Sequence, residues 1–186
     1  MKVLRSAWLA LLCAVLLHGG VSRAASTPAS EQQVKAVFVY NFTHFAEWPA
    51  NRFSSPTEPL IIGVLGSEEF AALLDEAVRG ERVGEHPLEV RRLRGTDELD
   101  RCHVLYIDRA EAGSLEPTLQ QLTGRGTLTV SDVDGSASRG AMIEFARSGS
   151  RIRLLVNVDS ARAAGLTLSS KLLRPAEIVR TEGSGR

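Results

Sequence analysis

From Glu31 onward the chain sets apolar residues three and four apart, at Val34, Phe38, Phe42 and Phe45, until Pro49 intervenes. That spacing predicts an amphipathic helix over 31–48, stopped at the residue before the proline. The pattern then shortens. Pro59 to Leu65 (PLIIGVL), His103 to Ile107 (HVLYI) and Gly126 to Val130 are apolar runs of the kind found in strands covered on both faces. Leu88 to Leu93 alternates apolar and polar residues, as a strand with one wet face does. Helical spacing returns after Gly66-Ser67, with Phe70, Leu73, Leu74 and Ala77, and again from Leu115 to Leu122. Such alternation predicts a parallel sheet with helices on both faces.

The last third changes habit. Ala141 to Phe145 and Ile152 to Val156 flank Arg147-Ser148-Gly149-Ser150, a hairpin signal. Helices are expected through Ser160 to Ala164, ending at Gly165, and from Ser169 into Val179. The fold expected is an α/β three-layer sandwich of the Rossmann or receiver kind, mostly parallel, with an antiparallel hairpin added at one edge.

The first 24 residues do not belong to that pattern. Lys2 and Arg5 precede an apolar run from Ala7 to Leu17, and Ser22-Arg23-Ala24 offers small residues where a signal peptidase reads, so cleavage is expected after Ala24. The run falls short of the roughly 20 residues of a settled membrane span. Cys13 follows Leu12, where lipoprotein processing needs a small side chain, so no lipid anchor is expected. The exported chain then comprises a tether at 25–30, one domain over 31–180 and a frayed tail at 181–186. The leader holds three of the 22 basic residues and none of the 22 acidic ones, which leaves the remainder at −3. That balance argues against a nucleic-acid partner. Arg91, Arg92 and Arg94 read as a solvated strand edge.

Gly63-Val64-Leu65-Gly66-Ser67 lacks the third glycine of a dinucleotide fingerprint and reads as a tight turn with Ser67 as helix cap. Asp108 follows a central strand, where receiver domains accept phosphate, yet the expected first strand ends in Leu65-Gly66-Ser67 without the acidic pair that holds Mg²⁺. It reads as a cap or turn residue. His44, His86 and His103 have no second ligand at a metal-binding spacing, so no metal or cofactor is expected. Ser131 and Asp132 have no histidine placed to complete a triad, and no nucleophile elbow occurs. These readings favour a binding protein over an enzyme.

The stretches VKAVFVYNFTHFAEWP, PLIIGVLG, RCHVLYI, LTVSD, GAMIEF and RIRLLVN, followed by AGLTLSSKLLRPA, occur in this order from Val34 to Ala176. In them the chain resembles the YfiR family of exported regulators, and Tyr40-Asn41-Phe42 through Trp48-Pro49 is the most specific part. The resemblance implies a periplasmic α/β protein, often dimeric, that represses an inner-membrane diguanylate cyclase by binding its periplasmic domain. It also implies that an OmpA-like outer-membrane lipoprotein can sequester the regulator. Members with paired cysteines carry disulfides, and one of those cysteines resembles Cys102. Here Cys102 is the lone thiol after export, so an intramolecular redox switch is not expected, and the strand that follows suggests a partly buried, ordinary sulfur. A small-ligand sensor of the same fold is the alternative reading, and an undetected hydrolase a third.

Six of the nine aromatic residues beyond the leader fall between Phe38 and Phe53. Phe38, Phe42 and Phe45 make one stripe, whereas Val37, Val39 and Tyr40 turn away from it, so the helix calls for cover on more than one side. Either the rest of the domain or a second subunit supplies it. A homodimer contact through Val37 and Tyr40 is the second case. For the partner surface, the hairpin residues Ile143, Phe145, Leu154 and Val156 are the candidates, because exposed strand edges are docking templates; core packing is the competing explanation.

Overall fold

A computed structural model describes residues 30–149 and 151–181. The expected leader, Cys13, the tether up to Ala29 and the tail beyond Thr181 lie outside them. Among the described residues, no helix is long and apolar enough to cross a membrane.

The first helix, α1 (Glu31–Phe45), starts with a reciprocal cap: the Gln33 amide donates to Ser30 Oγ at 3.1 Å and the Ser30 amide to Gln33 Oε1 at 2.7 Å. It ends three residues before the expected stop. Ala46 and Glu47 leave the helix to form β1 (Ala46–Glu47), which pairs antiparallel with β9 (Thr167–Leu168). A contact 120 residues away in the chain, which local spacing does not reveal, sets the helix end.

The main sheet runs β10-β8-β7-β6-β5-β2-β4-β3. Its parallel centre consists of β4 (His86–Leu93), β2 (Leu60–Leu65), β5 (Val104–Ile107), β6 (Leu128–Ser131) and β7 (Ile143–Ser148). The crossover from β2 to β4 is α2 (Glu68–Val78), capped by Ser67 Oγ on the Phe70 amide. The crossover from β5 to β6 contains α3 (Leu115–Gln121). The hairpin forms as expected: β7 pairs antiparallel with β8 (Arg151–Val156) from Ile143↔Val156 to Ser148↔Arg151. It is not the outermost element. The expected helix from Ser169 into Val179 is instead α5 (Ser170–Leu173), a stop at Pro175, and then β10 (Glu177–Ile178), parallel to β8. At the far edge β3 (Arg82–Val83) pairs antiparallel with β4. The short α4 (Val158–Ala163) is capped by Asn157 and closed by Gly165 at φ +78°.

Alternation along β2 divides the core. Leu60, Ile62 and Val64 face a layer with Val39 and Phe42 of α1 and Phe70 and Leu74 of α2. Ile61 and Leu65 face the opposite layer, with Leu115, Leu122 and Cys102. Each fully buried side chain of this size contributes about 1.5–3 kcal/mol.

Candidate functional site

In a doubly wound sheet, ligands sit beyond the carboxyl ends of the strands, near the switch in strand order. Here three polar side chains of that region, Asp108, Ser131 and Asp132, are taken up by contacts within the fold. Asp108 caps the 3₁₀ turn Arg109–Ser114 by accepting from the Ala110 amide at 2.9 Å. Gly66, at φ +113°, lies so close that a Cβ on it would stand 2.6 Å from Asp108 Cβ. Ser131 donates to the Ile107 carbonyl at 2.8 Å and accepts from the Val133 amide at 3.1 Å. Asp108 thus has the cap role expected of it, and Ser131 ties the end of β5 to the turn after β6.

Asp132 does more than turn the chain. Lys35 of α1, 1% exposed, reaches it at 2.8 Å and Glu31 at 2.7 Å. This buried pair fastens the helix to the end of β6. Apolar periodicity does not reveal this role of Lys35; its mark in the sequence is a lone lysine between Val34 and Ala36, four residues after Glu31. Tyr106 lies beneath, with its hydroxyl buried and without a hydrogen bond among the described residues. Burial first, then the nearby Asp132 and Asp108, raises its pKa, so the phenol stays protonated.

At the amino ends of the strands the aromatic cluster finds its purpose. Phe53 stacks on His103 at 4.4 Å and on His86 at 3.9 Å, and Trp48 meets it edge-on. The Trp48 indole donates to the His103 carbonyl at 3.2 Å, and Arg52 donates to the Cys102 carbonyl at 2.6 Å. His103 Nδ1 accepts from the Ile61 amide at 3.1 Å, which puts the proton of the neutral ring on Nε2. Burial, then the Arg52 charge, lowers its pKa to about 4. Among the described residues no group of His, Cys, Asp and Glu side chains is placed to share a metal ion.

On α1, Phe38 and Phe42 pack on Phe145 at 6.1 and 5.8 Å, the stripe expected of a helix on a sheet. Val37 is 51% exposed. Tyr40, its expected companion in a subunit contact, is already engaged within its own chain. Its hydroxyl donates to Glu81 at 2.9 Å and its ring meets His44 edge-on. The hairpin residues proposed for a partner need correction. Ile143, Phe145, Leu154 and Val156 are buried in the α1-side core, none more than 7% exposed, because even-numbered positions of β8 and their partners on β7 point under the helix. Those side chains cannot meet a partner. What the hairpin exposes is its arginines.

The family model described as YfiR/HmsC-like matches residues 32–177. The chain belongs to this family. Its members are regulatory proteins. A comparison with curated proteins finds no match. Among solved structures, a conserved domain protein from Vibrio cholerae O1 biovar eltor is similar at 12% identity and a TM-score of 0.55, covering 80% of this chain. A Streptococcus pneumoniae ABC domain in complex with L-Trp is similar at 13% identity and a TM-score of 0.51, covering 77%. The YfiR-like chain spans 60% of the length of each, and at such identities the likeness shows the α/β fold alone.

In this YfiR-like chain Cys102 is 1% exposed and its sulfur leans over Gly63 of β2. A Cβ at position 63 would stand 2.5 Å from Sγ. Burial first, against the opposing pull of Arg91 and Arg52, pushes the thiol pKa up to about 11. The flanking Arg101 and His103 do not activate it. The sulfur fills the space that a glycine leaves, and as a buried thiol it is a poor nucleophile.

Proposed function

We propose that the chain is a periplasmic repressor of an inner-membrane diguanylate cyclase, and that it acts by stoichiometric binding to the cyclase's periplasmic domain. Family membership over residues 32–177 carries this reading. The carboxyl-end groups support it, because Asp108, Ser131 and Asp132 hold the fold together through the contacts described above. Repression would lower cyclic-di-GMP and biofilm formation, and sequestration by an OmpA-like lipoprotein would relieve it. Co-purification of the exported chain with the periplasmic domain of the diguanylate cyclase encoded nearest to it tests the reading. A complex of fixed stoichiometry is expected. Separate elution of the two proteins at micromolar concentration would contradict it.

A further inference from the structure

The two large apolar side chains left exposed among the described residues are Val37 of α1, at 51%, and Ile178 of β10, the outer strand at one edge of the main sheet, at 53%. Ile178 is in register with Val156, whose side chain belongs to the core beneath α1. That edge is half closed. β10 pairs with β8 at Leu155 and Val156 only, while β8 continues back to Arg151. The Val156 carbonyl points outward, to the Val179 amide at 3.0 Å. Main-chain groups repeat their direction every second residue, so Ile152 also turns its N–H and C=O outward, where no strand lies beside it among the described residues.

Ile152 forms one wall of a depression of about 450 Å³, with Val34 and Phe38 of α1 opposite and Arg147 and Arg151 at the rim. Val34 and Phe38 also line a second depression of about 220 Å³, which reaches Val37 and Asn41. The two form one apolar strip beside an open strand edge. The rim carries two arginines, Arg147 and Arg151, and one carboxylate, Glu31. Between residues 147 and 181 seven basic residues stand against two acidic ones, in a chain whose earlier part is acidic. Arg147 is turned to Glu31 at 3.4 Å and Arg153 to Glu177 at 3.0 Å, but Arg151 makes no ion pair among the described residues.

We infer that this strip takes hold of an extended segment of the cyclase's periplasmic domain in which apolar residues stand beside acidic ones; the inference rests on the repressor reading above. The segment's main chain would meet Ile152, its apolar side chains the Val34–Val37–Phe38 flank, and its carboxylates Arg151. Strand addition of this kind takes affinity from the main chain and specificity from the pockets. A second copy of the chain fits less well. It would bring arginines to the rim, and its carboxylate there, Glu31, is already committed to Lys35 and Arg147.

Calorimetric titration of the cyclase domain into the wild type, Val37→Asp, Arg151→Glu and, at the far edge of the sheet, Arg94→Glu tests the inference. Circular dichroism controls for folding. Val37→Asp and Arg151→Glu should each weaken binding by about tenfold or more, and Arg94→Glu by less than about twofold. Added salt should weaken the wild type more than Arg151→Glu. Wild-type binding that persists in both edge variants would overturn the docking strip and leave the repressor reading standing. Absence of wild-type binding would remove both. Conversion of a dimer to a monomer by Val37→Asp, with cyclase binding unchanged, would assign the strip to self-association and overturn the inference.

Discussion

His103 is neutral in the fold because its ring is buried against Phe53 and faces the Arg52 charge. In the unfolded chain it titrates near its ordinary value of about 6.5. Its folded pKa of about 4 lies lower, so the unfolded state binds more protons between these values. The resulting stabilisation is complete above about pH 6.5 and is lost as pH falls towards 4, with a slope of up to about 1.4 kcal/mol per pH unit. His103→Gln, followed by urea unfolding at several pH values, should flatten that slope; an unchanged slope would mean that other groups set it. Gly63 provides a second residue-scale test. Gly63→Ala would force a Cβ against Cys102 Sγ and to 3.1 Å from methyl carbons of Leu93 and Leu105, at an expected loss of about 1–3 kcal/mol. Adding Cys102→Ala should recover part of that loss. Cys102→Ser should leave repression intact and indifferent to mild reductant. A dominant disulfide-linked dimer on non-reducing gels, lost together with repression in that variant, would contradict the inert thiol.

The elements depend on a few long-range ties. Lys35 and Asp132 join α1 to the end of β6 across 97 residues at 2.8 Å, with both side chains almost wholly buried. Lys35→Met would leave the carboxylate buried without its cation and should cost about 3–5 kcal/mol in denaturant unfolding. The double variant Lys35→Met/Asp132→Leu should fall closer to the wild type. Equal losses in both would show that the pair acts independently of its charge. The same distance in sequence explains what was legible. Runs such as PLIIGVL and HVLYI announce buried strands because burial on both faces needs no partner identity. The end of α1 at Phe45, the strand at Glu177–Ile178 and the role of Lys35 depend on β9, β8 and Asp132, which no local period encodes. The hairpin was readable as a pair of strands. Which of its faces turned inward was not, because both alternations carry apolar residues and the helix that covers one of them lies a hundred residues earlier.

For the whole molecule, charge is segregated along the chain: residues 147–181, which supply β8 and β10, hold seven basic side chains against two acidic ones, and the earlier chain is acidic. Net charge alone, at −3 beyond the expected leader, hides this polarity and points only away from nucleic acid. The aromatic concentration likewise serves two ends of the fold. Phe38 and Phe42 seat α1 on the sheet, and Trp48 and Phe53 close the amino ends of the strands. The structural stripe was readable from spacing; the closure was not, because His86 and His103 join it from distant segments. The family motifs, by contrast, were legible over nearly the whole domain, and the repressor account rests on them. Its most direct test is the cellular level of cyclic-di-GMP in a host that expresses the cognate cyclase, with the chain deleted and then restored. The account predicts a rise on deletion and a return to the original level on restoration; a level that does not change on deletion would contradict it.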